Sequence, residues 1–457
     1  MMIVPKPKQY EEKGELSIAL AICADAELTF GLKAFKRIFK KIYGVSIANG
    51  EGGIAVKYDA SLAEEEYILD GATVYASSLF GMKNGLASVF QLIKKADKEG
   101  ITLTEASVKD KPDVDFRAFF ADLARQWHDF DILLGYVDMC YLNKIKYFQI
   151  HFTDDQSWTL PFRSFPNVAT KGRCYTHEEI AYLVEYANEA SVELIPEFEG
   201  IGHSRELIKN CPEEFGNEYD KPMNEKIMCI GKPTTFNNVR KMLTEMAEVF
   251  KYSRYIHVGC DEALHTNWTV CHYCRDYMAR QGIETTLELY AHFVQKIVDM
   301  CLALGRTPIV WEGFHKDHNH LISKDAIVMA WENLYQTAPD LLEGGFKIIN
   351  AAWKPLYFVD SDAPKYTWSI LEEDFNLYRW DNHLERSAAH GGMQLEPNEN
   401  VLGSMMCQWQ CNYEQEHDRV VANLPVFSDR LWNVTEYYAK DAFPNVDTLT
   451  AMINKVY

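Results

Sequence analysis

Apolar positions along the chain follow two different rhythms. Up to about residue 110, short strand-like and longer helix-like stretches alternate. "LSIALAICA" and "GIAVKY" read as strands around the amphipathic "LKAFKRIFKKIYG", "ATVYAS" precedes a second helix "GMKNGLASVFQLIKK", and "ITLTEAS" follows as a strand. The pattern predicts a small α+β domain over residues 1–112. The lysine- and proline-bearing "VKDKPDVD" marks its boundary near residues 108–115.

From residue 113 to 457 the rhythm changes. Eight short apolar runs, "FRAFFADLA", "IKYFQIHF", "VELIPEF", "YIHVGC", "PIVWEGF", "AIVMAWE", "FKIINAAW" and "VLGSMMCQW", are separated by helical patterns or polar loops. Eight strand-plus-connection units predict an α/β fold, a (β/α)8 TIM barrel with a C-terminal helical segment. Leu133, Tyr136, Val137 and Cys140 form one apolar stripe at i, i+3, i+4, i+7, and Ile180, Leu183, Val184 and Ala187 form another. Thr176 and Glu179 make a capping box at the start of the second helix, and Gly305 stands where the helix after the fourth strand should end. Residues 354–400 read mostly as loop, expected over one mouth of the barrel.

Composition narrows the function classes. A chain of 457 residues suits a large barrel with a companion domain, and no apolar run approaches the roughly 18 residues a membrane span requires. A net charge of -20 disfavours nucleic acid and anionic membrane as partners. The N-terminus "MMIVPKPKQY" lacks the succession of a secretory signal, and eleven cysteines without framework spacing fit reduced thiols, so a cytoplasmic location is expected. Cys271 and Cys274 in "VCHYCRD", near His265 and His272, have half the spacing of a zinc site. No second CxxC follows, so ordinary thiols are the expectation there.

In such barrels the chemistry collects at the C-terminal ends of the strands. The first run has Arg117 early and Asp122 and Arg125 late; the second ends in His151, Asp154 and Asp155 with Trp158 after them. The third ends in Glu197, Glu199 and His203, and the fourth in the adjacent carboxylates Asp261 and Glu262. The remaining four end near Trp311 and Glu312, Trp331 and Glu332, Trp353, and Trp409. Taken singly, each tryptophan fits core packing and each acid a solvated loop. An acid, a tryptophan or both at each of the eight ends point to a carbohydrate site, where sugar C–H faces stack on aromatic planes and carboxylates grip hydroxyls.

"FRAFFADLARQW", "IHFTDDQSWTL", "YTHEEIAYLVEYANEASVELIPEFEGIGHS" and "IHVGCDEA" resemble, in order, the motifs of glycoside hydrolase family 20, the β-N-acetylhexosaminidases. The resemblance implies an exo-acting, retaining enzyme that removes terminal β-linked N-acetylhexosamine (GlcNAc, GalNAc or both) from glycans, without metal or other cofactor. It implies substrate-assisted catalysis, in which the substrate's 2-acetamido oxygen attacks the anomeric carbon. Glu262 would then be the general acid/base and Asp261 would orient the acetamido group. Ideal strand geometry sends neighbours to opposite faces, so the strand must end or bend here, and Gly259 permits that. Burial and a negative neighbour predict a protonated Glu262.

The same resemblance makes Arg117 the arginine on the ring hydroxyls, Asp154 or Asp155 with His203 the network supporting the acid, and Trp311, Trp331 and Trp409 the walls around the sugar. Tyr357 would bond the acetamido oxygen. The chain departs from the family pattern at Glu199 (usually Asp), Ile201 (usually Pro), Asp360 (one residue late after Tyr357) and Cys411 (usually Glu). These departures bear on which sugar is accepted. Two other readings compete: a carbohydrate-binding barrel without turnover, and a metal-dependent hydrolase using His151, Asp154, Asp155 and His203. Intact Asp261 and Glu262 oppose the first, and the absence of an HxH pair on the first strand opposes the second.

Overall fold

The computed structural model of the protein describes residues 3–217, 226–263, 265–359, 369–435 and 443–457. Asp360 lies outside these residues.

The barrel strands are Phe116–Asp122, Tyr147–His151, Glu193–Gly200, Tyr255–Gly259, Thr307–Trp311, Ile327–Ala330, Lys347–Asn350 and Val401–Trp409. Each pairs in parallel with its sequence neighbours, and the last pairs with both the seventh and the first, so the sheet closes on itself. All eight coincide with the apolar runs. Phe116, Ala118, Phe120, Ile195, Ile309, Ile349 and Met405 fill the barrel's interior, leaving a packed plug rather than a pore. The predicted stripes of helices Phe130–Leu142 and His177–Glu189 are buried, and the capping box of Thr176 and Glu179 is formed. Gly305 adopts φ +71° after helix Thr286–Ala303, as a helix-ending glycine does.

The loop expected over residues 354–400 carries some structure. Strand Tyr357–Val359 adds in parallel to the last barrel strand, and Arg379–Trp380 pairs with Met393–Gln394. The N-terminal sheet runs in the order Gln9–Ile18, Gly100–Asp110, Tyr67–Asp70, Thr73–Ala76, Ile54–Tyr58, Ala21–Ala24, Ala48–Asn49, with helices Leu32–Tyr43 and Leu79–Leu92. Two boundaries differ from the sequence pattern. "LSIALAICA" is split between two strands, and the helix over residues 79–92 stops before Ile93, where the chain turns into a hairpin strand, Ile93–Asp97, against Gly100–Asp110. No described helix is long and apolar enough to cross a membrane.

Arg117 joins this sheet to the barrel. It is fully buried at the start of the first barrel strand, paired with Glu65 and donating to the carbonyl oxygens of Val114 and Lys144. Lys146 also reaches Glu65 at 3.3 Å, while Lys144 meets Asp110 at 3.4 Å. Trp432 donates its indole N–H to Asp110 at 2.8 Å.

Candidate active site

The fourth strand ends in a sharp turn. Gly259 takes φ +61°, Cys260 φ +73° and Glu262 φ +44°. A Cβ at residue 259 would run into the carboxyl group of Glu199, so only glycine lets the two segments approach. Left-handed φ at non-glycine residues costs about 1–3 kcal/mol each and persists where surrounding contacts impose it. Here the buried Tyr290 hydroxyl donates to the Cys260 carbonyl. The turn breaks the strand's alternation and brings Asp261 and Glu262 to one pocket. Asp261 is buried, while the Glu262 side chain remains 49% exposed.

Behind the pair runs an unbroken chain of imidazoles and carboxylates. His203 Nε2 lies 3.3 Å from Glu262 Oε2 and 3.7 Å from Asp261 Oδ2, and its Nδ1 lies 3.3 Å from Asp154 Oδ1. Asp154 Oδ2 accepts from Arg125 at 2.6 Å and meets His151 Nε2 at 2.9 Å. His151 Nδ1 is 3.2 Å from Glu197 Oε2, and Glu197 Oε1 accepts from Trp311 Nε1 at 2.8 Å. Five strands contribute, so the barrel itself holds the array in register. Ile201 at φ +78° and His203 at φ +46° turn the third strand's end toward the fourth's.

Charges in this array correct one expectation. Glu262 is held below its ordinary value, first by the hydrogen bond from His203 and then by that ring's charge, with burial opposing. Asp261 is the carboxyl pushed up, to about 6, by burial and by the Glu262 charge against the pull of His203. Burial alone would strip the proton from His203, but Asp154 and Asp261 outweigh it and raise the ring well above its usual value. In the open pocket the shared proton therefore rests on His203 rather than on Glu262, because Glu262 is half in solvent and faces a cation. Glu199 is raised well above its usual value by burial and by the charges of Asp261 and Glu197.

The pocket encloses about 150 Å³, with Arg125, His203, Asp261 and Glu262 on one side and Trp331, Trp353, Tyr357 and Trp409 on the other. Trp331, Trp353 and Tyr357 stack with interplanar angles of 13° to 28°. A larger cavity, about 430 Å³, opens near Asp115, Phe116 and Lys347 at the N-terminal mouth, where no imidazole lines it among the described residues. Size alone would have selected the wrong end.

Several sequence assignments change. Arg117 does not reach the pocket, because it begins its strand and is spent on Glu65; Arg125, just past the strand's end, lines it instead. Arg125 also lies 5.0 Å over the ring of Trp409. Asp155 stands at the array's edge, accepting from Arg205 N at 3.1 Å and pairing with Lys226 at 3.2 Å, whereas Asp154 sits within it. Trp311 is fully buried beneath the pocket, in contact with Trp331 and Trp409, and the third aromatic wall is Trp353. Cys411 is buried with its thiol 3.4 Å from the Phe358 carbonyl; the adjacent Gln410, at φ +58°, lines the pocket. His203, Asp261, Glu262, Trp331, Tyr357 and Trp409 are brought together as the sequence suggested.

Near the pocket, Glu332 carries a buried carboxyl pushed up to about 8 by burial and by Glu262 and Glu312. Glu312 accepts from the backbone N–H groups of Asn333, Tyr335 and Gln336 and so pins the loop that follows the sixth strand. Three groupings here, His151 with Glu197 and Glu199, Asp154 with Asp155 and His203, and His203 with Asp261 and Glu262, have atoms close enough to share a cation. Arg125 already supplies a permanent positive charge against Asp154, and each ring nitrogen of His203 already faces a carboxylate.

Comparison with known proteins agrees with this geometry. Residues 115–436 match the model of the glycosyl hydrolase family 20 catalytic domain. Among curated proteins, a beta-hexosaminidase of Vibrio furnissii is 25% identical over 466 residues, covering 92% of this chain and 74% of that protein. The human beta-hexosaminidase subunit beta is 26% identical over 302 residues, covering 62% of this chain and 52% of that protein. Among solved structures, a beta-N-acetylhexosaminidase from Bacteroides fragilis superposes with TM-score 0.80 at 20% identity, over 96% of this chain and 93% of that one. An exo beta-N-acetylglucosaminidase from Vibrio harveyi, solved with N-acetylglucosamine, also gives 0.80 at 20% identity, over 98% and 75%.

Proposed function

The chain belongs to glycosyl hydrolase family 20, and from that premise we propose that it is an exo-acting β-N-acetylhexosaminidase that uses its substrate's own acetamido group as nucleophile. One observation carries the reading. Asp261 lines the aromatic pocket, and its Oδ1 is buried without a hydrogen-bond partner among the described residues. A buried carboxylate oxygen left unsatisfied is costly, and an acetamido N–H arriving there satisfies it.

In this reading the sugar ring sits in the bowl, with its acetamido group among Trp331, Trp353, Tyr357 and Trp409. Asp261 accepts the N–H and polarises the amide. The carbonyl oxygen attacks the anomeric carbon as the glycosidic C–O bond breaks, and Glu262 gives its proton to the leaving oxygen. Covering the pocket removes Glu262 from solvent, which favours its protonated form. The proton comes from His203, 3.3 Å away, through Nε2. The resulting oxazolinium cation lies beside ionised Asp261. Water, deprotonated by Glu262, then attacks the anomeric carbon from the leaving-group side, restoring the amide and giving net retention. Arg125 grips ring hydroxyls, and the aromatic wall of Trp331, Trp353, Tyr357 and Trp409 packs on the terminal sugar.

The test is a panel of aryl β-glycosides: N-acetylglucosaminide, N-acetylgalactosaminide and glucoside. Turnover is expected on the acetamido sugars, with the glucoside slower by several orders of magnitude, since it lacks the nucleophile. Comparable rates on acetamido sugar and glucoside would overturn the substrate-assisted step, and binding without turnover of any glycoside would return the protein to a carbohydrate-binding role.

A further inference from the structure

Three cysteines from two separate loops converge beside the active site. Cys229 lies between the third and fourth barrel strands, and Cys271 and Cys274 follow the fourth, the first of them nine residues beyond Glu262. All three are buried. Cys229 Sγ stands 3.6 Å from Cys271 Sγ and 3.7 Å from Cys274 Sγ, and the three sulfurs lie within 4.8 Å of one another. A disulfide needs about 2.05 Å. A tetrahedral ion with metal–sulfur bonds of about 2.3 Å sets its sulfurs about 3.8 Å apart, close to what is seen.

The backbone is shaped for the same end. Gly231 packs so tightly on the chain between Cys271 and Cys274 that a Cβ there would strike the Tyr273 carbonyl. Thr235 Oγ1 donates to the Cys229 carbonyl at 2.7 Å, fixing the first cysteine's loop. Cys271 is the N-cap of helix His272–Gln281 and Cys274 stands in its first turn, the end of a helix that favours thiolate charge.

We propose that Cys229, Cys271 and Cys274 hold a soft divalent cation, zinc foremost, with solvent as the fourth donor, in a structural site that ties the third and fourth βα loops together. Binding exchanges three thiol protons for one ion, leaving a trithiolate complex with no change of oxidation state. Affinity therefore rises with pH. The consequence for the pocket is mechanical. Met228 N donates to Ile201 O at 3.0 Å, Ser204 N to Lys226 O at 3.1 Å, and Trp268 Nε1 to Met228 O at 3.1 Å. The strap before Cys229 thus braces the turn that carries His203, and the ion clamps that strap to the segment following Glu262. This site is independent of the proposed hydrolysis and stands whichever sugar is cleaved.

The test begins with elemental analysis of the full-length protein purified without chelator and under reductant. A zinc-to-chain ratio of about one is expected. Replacement by cobalt(II) should give thiolate-to-metal charge-transfer absorption and the visible bands of tetrahedral coordination, and Cys274→Ser should lose both while Cys23→Ser keeps them. Chelation of the wild-type protein should lower Tm, and zinc, not magnesium, should restore it. A wild-type protein that takes up no stoichiometric zinc or cobalt under reductant would overturn the proposal. So would an intact mass two daltons short at these cysteines, which marks a disulfide. Both readouts are made on wild-type protein and do not depend on a variant folding.

Discussion

Burial raises two carboxyl groups at opposite ends of the barrel, yet their charged neighbours send the net shifts in opposite directions. Glu65, at the N-terminal mouth, is pressed down to about 2: burial pushes it up, but the Arg117 guanidinium, its hydrogen bonds and Lys146 overcome that. Asp261, at the C-terminal mouth, is pushed up to about 6 by burial and by the adjacent Glu262 charge, which the pull of His203, 3.7 Å away, does not offset. Glu65 is fully partnered, whereas Asp261 keeps a buried oxygen with nothing to accept from among the described residues. The pH signs are opposite too. Ionised Glu65 contributes stability above the ordinary carboxylate range, and this is lost as pH falls toward 2; ionised Asp261 costs stability as pH rises from its ordinary value through about 6. A satisfied buried charge joins structural units, and an unsatisfied one waits for a ligand.

The sharpest way to break this contrast is to remove one group from each end. Glu262→Gln removes the proton donor and should lower kcat by about 10²- to 10⁴-fold. Its Tm should fall only slightly, since the lost pair with His203 is half-exposed. Arg117→Met should do the reverse. It strands Glu65 in the interior and should cost about 3–5 kcal/mol of stability, seen in chemical denaturation, while kcat/KM per folded molecule is unchanged. Loss of turnover without loss of stability in Arg117→Met would put that arginine back in the site.

The two arginines also show how far the sequence could be read. All eight barrel strands were legible, because a strand buried on both faces is a plain apolar run bounded by polar loops. The adjacent acids were legible because charge at the end of such a run has no packing role. What could not be read was depth along the barrel axis. Arg117 and Arg125 lie eight residues apart in one motif, yet one begins the strand and the other follows its end. Trp311 closes its strand and is covered; Trp353 lies three residues past the seventh strand and is a wall. Cys411 and Gln410 divide in the same way, with a left-handed residue turning only one toward the sugar. The polar first part of strand Gln9–Ile18, before Leu16, escaped for another reason: it is largely exposed, and its partner Gly100–Asp110 supplies the ladder that makes it a strand. The third cysteine of the proposed metal site was equally hidden, since 42 residues separate Cys229 from Cys271.

Depth along the axis gives the next prediction. If position past the strand end makes Arg125 a sugar-binding residue, Arg125→Lys should lower kcat/KM by about 10- to 100-fold, since an ammonium cannot reproduce the guanidinium's paired donors to Asp154 and a ring hydroxyl. Stability should change little beside the Arg117 variant. Equal turnover with a lowered Tm would make Arg125 a second structural arginine and erase the distinction between the two ends.

The smallest effect is the most diagnostic of the raised carboxyl. Asp261 must be ionised to stabilise the oxazolinium cation, so kcat/KM should fall about tenfold per pH unit below about 6. On the alkaline side activity should decline only as His203 loses its proton, and its ring is held well above the usual value by Asp154 and Asp261 against burial. The profile is thus a bell whose acid limb belongs to Asp261 and whose alkaline limb belongs to the His203–Glu262 pair. Asp261→Asn should lower the plateau and abolish the acid limb together. An Asn variant that kept a limb near pH 6 would assign that ionisation elsewhere, with Glu332, pushed up to about 8, as the neighbour to examine on the other limb. The same variant should be more stable than wild type at neutral pH, because it removes a charge the fold does not satisfy, and Glu65→Gln should be less stable, because it removes one that it does.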